Sequence, residues 1–143
     1  MLMIKIFTIG FSGKKENAFF DLLNAAEIKR LVDVRLWRKA RFTPWASEMN
    51  LMQQLGEKYV YMPEFAPTKE LLVRYKDGQT SWSGYEKIFN ELMSGREVEK
   101  LFAIETLDGT CFLCSEKTPE MCHRRLVAEY LAGKFSNVEI IHL

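Results

Sequence analysis

The densest run of reactive side chains in the chain is Cys111-Phe-Leu-Cys114-Ser-Glu116-Lys-Thr-Pro119-Glu-Met-Cys122-His123-Arg124-Arg125. It holds all three cysteines and one of the two histidines. A thiol near the start of a helix is acidified by the helix dipole, and an imidazole titrates near neutrality, so Cys122 and His123 are candidates for nucleophilic and proton-transfer chemistry. Glu116 is a general acid/base candidate where its surroundings are partly dry, because burial raises a carboxyl pKa toward working pH. Each has an ordinary counterpart: a small buried hydrophobe for Cys122, a packed histidine bonded to a backbone carbonyl for His123, and a solvated glutamate beside Lys117. Arg124 shares a flank with Ala128 and Leu131 and is expected to line a crevice, whereas Arg125 pairs by spacing with Glu129.

Cys111 and Cys114 form a CxxC pair, but residues three apart on a strand face opposite sides, and a redox pair of this kind needs a loop entering a helix. A zinc set drawn from Cys114, Cys122 and His123, with His142 at the far end of the chain, lacks an established ligand spacing. No metal and no other cofactor is assigned from the sequence.

Three further groups carry charge. Asp33 and Arg35 alternate with Val32 and Val34, which puts both on one side at the end of a strand. They form either a structural ion pair or a site in which Arg35 holds an anion and Asp33 orients it. Gly10-Phe-Ser12-Gly13-Lys14 lacks the spacing of a Walker loop, yet a Gly-rich turn opening a helix can present backbone N–H groups and the Ser12 hydroxyl to an anion. Finally, the loop from 35 to 45 interleaves Arg38, Lys39 and Arg41 with Trp37, Phe42 and Trp45, a mixture suited to phosphate contact and base stacking. The plainer alternative is a basic surface loop whose aromatics pack on the core, and the formal net charge of only +1 favours it.

These residues need a frame. Apolar, β-rich runs predict strands at 3–9, 30–35, 58–62, 110–115 and 138–142. Helices are predicted after Gly13 with Phe19, Leu22, Leu23 and Ala26 facing a sheet, over 47–55 with a stop at Gly56, over 69–75, and in two runs either side of Gly95. Thr118-Pro119 is a helix-start signal and Gly133 suits a C-terminal cap, so the last helix is expected between them. The stretch 63–81 is an excursion or lid. Strands apolar throughout and separated by helices imply a three-layer α/β/α sandwich, Rossmann-like, with a mainly parallel sheet of about five strands. The carboxyl ends of such strands share one edge, where ligands bind.

With 143 residues and 48% hydrophobic content, one domain spanning 1–143 can bury a core without staples. The odd cysteine count reads as reduced thiols in a cytoplasmic protein, and the apolar N-terminus is too short to span a membrane.

Thr8-Ile-Gly-Phe-Ser12, Leu31-Val-Asp-Val-Arg35, and Phe112-Leu-Cys-Ser-Glu116 with Pro119 and Cys122-His-Arg124 together resemble the marks of DUF488, a family of unknown function. The resemblance implies a compact, single-domain, cytosolic α/β protein of prokaryotic type, with Asp33, Arg35, Cys114, Glu116, Cys122, His123 and Arg124 at motif positions. Phe11 stands where many members carry histidine.

The expected function is an enzyme or enzyme-like domain for a small anionic substrate, such as a nucleotide or a phosphorylated metabolite. Arg35 and Arg124 would hold the anion, Glu116 and His123 would transfer protons, and Cys122 or Cys114 would serve as nucleophile or support. The alternatives are a nucleic-acid-binding module using Trp37, Arg38, Lys39, Arg41 and Trp45, and a structural zinc site.

Overall fold

The computed structural model describes residues 3–143. Five strands, β1 (Ile4–Gly10), β2 (Arg30–Asp33), β3 (Tyr59–Tyr61), β4 (Thr110–Cys114) and β5 (Val138–His142), form one sheet. Its order is β3-β2-β4-β1-β5 and every pairing is parallel. The described residues form six α-helices: α1 (Glu16–Ala25), α2 (Glu48–Leu55), α3 (Lys69–Lys76), α4 (Trp82–Arg96), the short α5 (Ile104–Leu107) and α6 (His123–Lys134). Among the described residues no helix is long and apolar enough to cross a membrane.

Alternation along the strands sorts the core onto two faces. Phe7, Ile9, Leu31, Cys111 and Leu113 meet Phe19 and Leu23 of α1 and Leu51 of α2. Ile6, Val32, Phe112 and Cys114 meet Leu71 of α3, Phe89 and Met93 of α4, and Leu126, Val127 and Leu131 of α6. This is the three-layer arrangement expected of strands that are apolar on both sides.

The connections explain the strand order. From β1 through β2 to β3 the chain steps one way across the sheet with α1 and α2 on one face, then returns through β4 to β5 with α3, α4 and α6 on the other. Right-handed crossovers require this reversal of face with direction. At its carboxyl end β4 therefore departs toward one face while its neighbours β1 and β2 depart toward the other. Crevices open at such switch points.

Three boundaries differ from the sequence expectation. The last helix starts at His123, with Cys122 as its N-cap in extended conformation, rather than at Pro119. Pro119 instead sits in a turn whose carbonyl accepts from Cys122 N–H at 3.2 Å. The same helix continues through Gly133 to Lys134. Gly95 does not divide the middle helical region: α4 runs to Arg96 and ends where Glu97 turns left-handed, φ 51°. Burial of Tyr85, Phe89 and Met93 along α4 outweighs the roughly 1 kcal/mol that a mid-helix glycine costs against alanine.

Candidate functional site

The residue at the end of β2 builds the base of the edge. Asp33 is fully buried and its carboxylate accepts four hydrogen bonds: from the Arg35 backbone N–H at 3.1 Å, Arg35 Nε at 2.9 Å, Arg35 Nη2 at 2.8 Å and the Tyr59 hydroxyl at 2.5 Å. Arg35 is 4% exposed, so this bidentate pair is an internal one. The hydrogen bond to Asp33 and its charge hold the guanidinium ionised against the opposing cost of burial. Burial and the same carboxylate push the Tyr59 hydroxyl well above its ordinary value. Asp33 is thus an anchor, and Arg35 lines a cleft.

Arg124 lies elsewhere than expected. It is 1% exposed, and its Nε donates to Thr8 Oγ1 at 3.3 Å while Nη1 donates to the Glu116 carbonyl at 2.5 Å. The expectation that it lines the crevice is corrected: the guanidinium is spent on tying the β4–α6 connection to β1. Gly10 makes room for this, since a β-carbon there would lie 2.5 Å from Arg124 Nη1 and 2.8 Å from the Glu116 carbonyl carbon. Ser12 N–H donates to the Ser115 carbonyl at 3.0 Å, so the Gly10 turn is docked on the strand end, and the Ser12 side chain lies outside the cleft lining. Burial, then Arg124, then Lys117 lower the pKa of Lys14, whose Nζ donates to the Gly10 carbonyl at 2.7 Å.

With the β1–β4 gap filled in this way, the open space falls between the ends of β2 and β4, under α3 and α4. It is a cleft of about 160 Å³, close to the size of an engineered cavity that takes up benzene. Its floor is Cys114, Cys122, His123 and Tyr85; Ser115 and Glu116 border one side, and Leu72, Tyr75, Lys76 and Trp82 form the far wall. The 63–81 excursion therefore supplies a wall. Tyr75, Trp82 and Tyr85 form a ring cluster, with Trp82 stacked on Tyr85 at 5.0 Å and Tyr85 on Phe89 at 6.0 Å. Trp37, 48% exposed, covers the cleft with Lys76 Nζ 5.3 Å from its ring centre.

The floor joins two thiols and an imidazole, all buried, whose ligand atoms lie within 4.8 Å of one another. His123 Nε2–H donates to the Val34 carbonyl at 2.6 Å, since a carbonyl can only accept. In the neutral ring Nδ1 then carries the lone pair, and it lies 3.5 Å from Cys114 Sγ. The Cys122 thiol hydrogen-bonds to Cys114, which lowers the Cys114 pKa against the opposing effect of burial, and the same bond raises that of Cys122. Cys111 lies on the other face of the sheet, where burial pushes its thiol up. His142 is not in the group; its Nδ1 is hydrogen-bonded to Thr8 Oγ1 at 2.5 Å.

Of the sequence candidates, Arg35, Trp37, Cys114, Glu116, Cys122 and His123 converge on one cleft, while Asp33, Arg124 and Ser12 support it from outside. The loop proposed for nucleic acid is divided: Arg38 is paired with Glu48 at 2.6 Å and lies 3.6 Å from the Tyr61 ring centre. Trp45 packs among Phe11, Phe19 and Phe20. Lys39, Arg41 and the 93% exposed Phe42 remain at the surface. The sequence reading missed Tyr75, Lys76, Trp82 and Tyr85, although the 82, 85, 89 spacing marks one aromatic face of a helix.

A family model for DUF488, a domain of unknown function, matches residues 15–131, most of the chain. Searches of curated proteins and of solved structures found no match.

Proposed function

This chain belongs to the DUF488 family, and on that premise we propose that it is a small enzyme or enzyme-like domain that binds an anionic, planar substrate, such as a nucleotide, in the cleft between β2 and β4. The observation that carries this is the pairing of aromatic walls with cations at one mouth. Trp37, Tyr75 and Trp82 line the cleft with rings on which a flat group can stack, while the exposed Lys76 and the cleft-lining Arg35 would supply charge to a phosphate. Glu116 stands exposed at the rim, not in the partly dry surroundings the acid/base reading asked for, so the Cys114–His123 contact is the nucleophilic unit of the metal-free protein. Cys122 lies beside it on the cleft floor.

Binding is testable without knowing the reaction. A ligand present at a hundredfold excess over its Kd stabilises the folded state by about 2.7 kcal/mol. A panel of nucleoside monophosphates and inorganic phosphate should therefore contain at least one compound that raises the melting temperature. Lys76→Ala and Trp37→Ala are expected to abolish that rise while leaving the unliganded melting temperature nearly unchanged, as both side chains are exposed. A panel in which no anion shifts the melting curve would remove the basis of this proposal.

A further inference from the structure

We propose that Cys114, Cys122 and His123 form a three-ligand zinc site whose fourth position opens into the cleft. Zinc takes thiolate at about 2.3 Å and imidazole nitrogen at about 2.0 to 2.1 Å, so a tetrahedral centre requires a sulfur–nitrogen separation of roughly 3.6 Å. Cys114 Sγ and His123 Nδ1 are 3.5 Å apart. The third donor, Cys122 Sγ, lies within 4.8 Å of both, where two thiolates on one zinc stand roughly 3.8 Å apart.

The imidazole is prepared for the role by a group that no sequence motif shows. A metal-bound histidine characteristically donates its other N–H to a carbonyl or carboxylate, which fixes the tautomer and aims the ligating nitrogen. Here Nε2–H is bound to the Val34 carbonyl, which leaves Nδ1 as the nitrogen free to ligate; Cys114 Sγ lies 3.5 Å from Nδ1 and 3.9 Å from Nε2, so the ring rotates about the Val34 hydrogen bond to aim Nδ1 at the metal. Val34 follows β2, so the carboxyl ends of β2 and β4 and the first residue of α6 jointly define the site.

Only three donors converge among the described residues, with His142 engaged at Thr8 and no carboxylate in the group. A structural zinc site closes with four protein ligands, whereas a catalytic one keeps a position for water or a substrate oxygen. All three residues line the cleft, so that position faces the proposed substrate. The inference deepens the reading of the cleft and rests on it for what occupies the fourth position. In the zinc form the two thiols have released their protons and, with His123, act as ligands.

The test uses the full chain, reduced and stripped with chelator, then titrated with zinc alone. One equivalent is expected to bind with release of protons, and cobalt in its place should give the absorption of a thiolate-ligated, four-coordinate ion. Cys114→Ser and Cys122→Ser should each weaken zinc by at least about a hundredfold, beyond the tenfold to hundredfold that loss of an outer partner costs. Should either variant fail to fold, alkylation of the wild-type protein decides the matter. Zinc is expected to protect Cys114 and Cys122 while leaving Cys111 as unreactive as before. Absence of stoichiometric binding in the wild type, or binding that leaves the reactivity of Cys114 and Cys122 unchanged, overturns the site. Zinc binding without any anion-induced stabilisation leaves the site standing and removes the substrate proposal instead.

Discussion

Asp33→Asn is expected to lower the melting temperature by roughly 10 to 17 °C, from a loss of about 3 to 5 kcal/mol, the cost of leaving one member of a buried ion pair without its partner. The carboxylate is the acceptor for two edges of the Arg35 fork, for the Arg35 backbone N–H and for the Tyr59 hydroxyl. An asparagine of nearly the same shape supplies one carbonyl in place of two charged oxygens and turns an NH2 group toward donors. Arg35 cannot escape by losing its proton, because a guanidinium stays charged in proteins. Nor can it swing into water without leaving the position between Phe11 and the cleft, where its Cζ lies 5.3 Å from the Phe11 ring centre. Tyr59→Phe provides the scale, since it removes one hydrogen bond and keeps the ion pair; it should cost about 1 to 2 kcal/mol. If thermal melts show Asp33→Asn within about 1 kcal/mol of the wild type, the pair is not the anchor of this edge. A loss confined to ligand binding, with stability kept, would return Asp33 to the role of orienting Arg35 toward an anion.

How far the sequence reached is clearest at the two ends of the β4–α6 connection. Continuous apolar runs between turn residues located all five strands to within a residue or two, because a strand buried on both faces leaves little freedom in composition. That Cys122 and His123 point inward was also legible, since they sit four residues before the buried Leu126 and Val127, although the helix starts later than Pro119. Arg124 was not, because its partners are a backbone carbonyl and a threonine hydroxyl, neither of which leaves a pattern in the chain. The meeting of Cys114 and Cys122 was hidden for a related reason. It depends on the path of residues 115–121, which pass the Gly10 turn at Ser115 and Glu116 rather than entering a helix at once. The cleft wall from α3 and α4 was read only as an excursion, since the pairing of Tyr75 with Trp82 joins two helices across the Asp77-Gly78 turn.

Gly10→Ala should be the most disruptive single-methyl change in the chain, costing at least about 3 kcal/mol, the upper end of ordinary overpacking. Backbone conformation is not the cause, as Gly10 is outside the left-handed region. The difficulty is space: the added carbon collides with the Glu116 carbonyl oxygen and lies 2.8 Å from its carbon. These are main-chain atoms, held in turn by Arg124 and by the neighbouring Ser12–Ser115 hydrogen bond, so no side-chain rotation relieves the contact. The strand end must move, and Ser115 and Glu116 border the cleft. Two losses should therefore appear together in Gly10→Ala, a lower melting temperature and weaker anion-induced stabilisation. Gly95→Ala separates this from a general intolerance of methyl groups. A β-carbon there meets nothing within 4 Å, and helix propensity alone should raise stability by about 0.5 to 1 kcal/mol. Wild-type stability in Gly10→Ala would show that the ends of β1 and β4 do not approach this closely in solution. A folded Gly10→Ala with unimpaired ligand response would instead separate the Arg124 tie from the cleft.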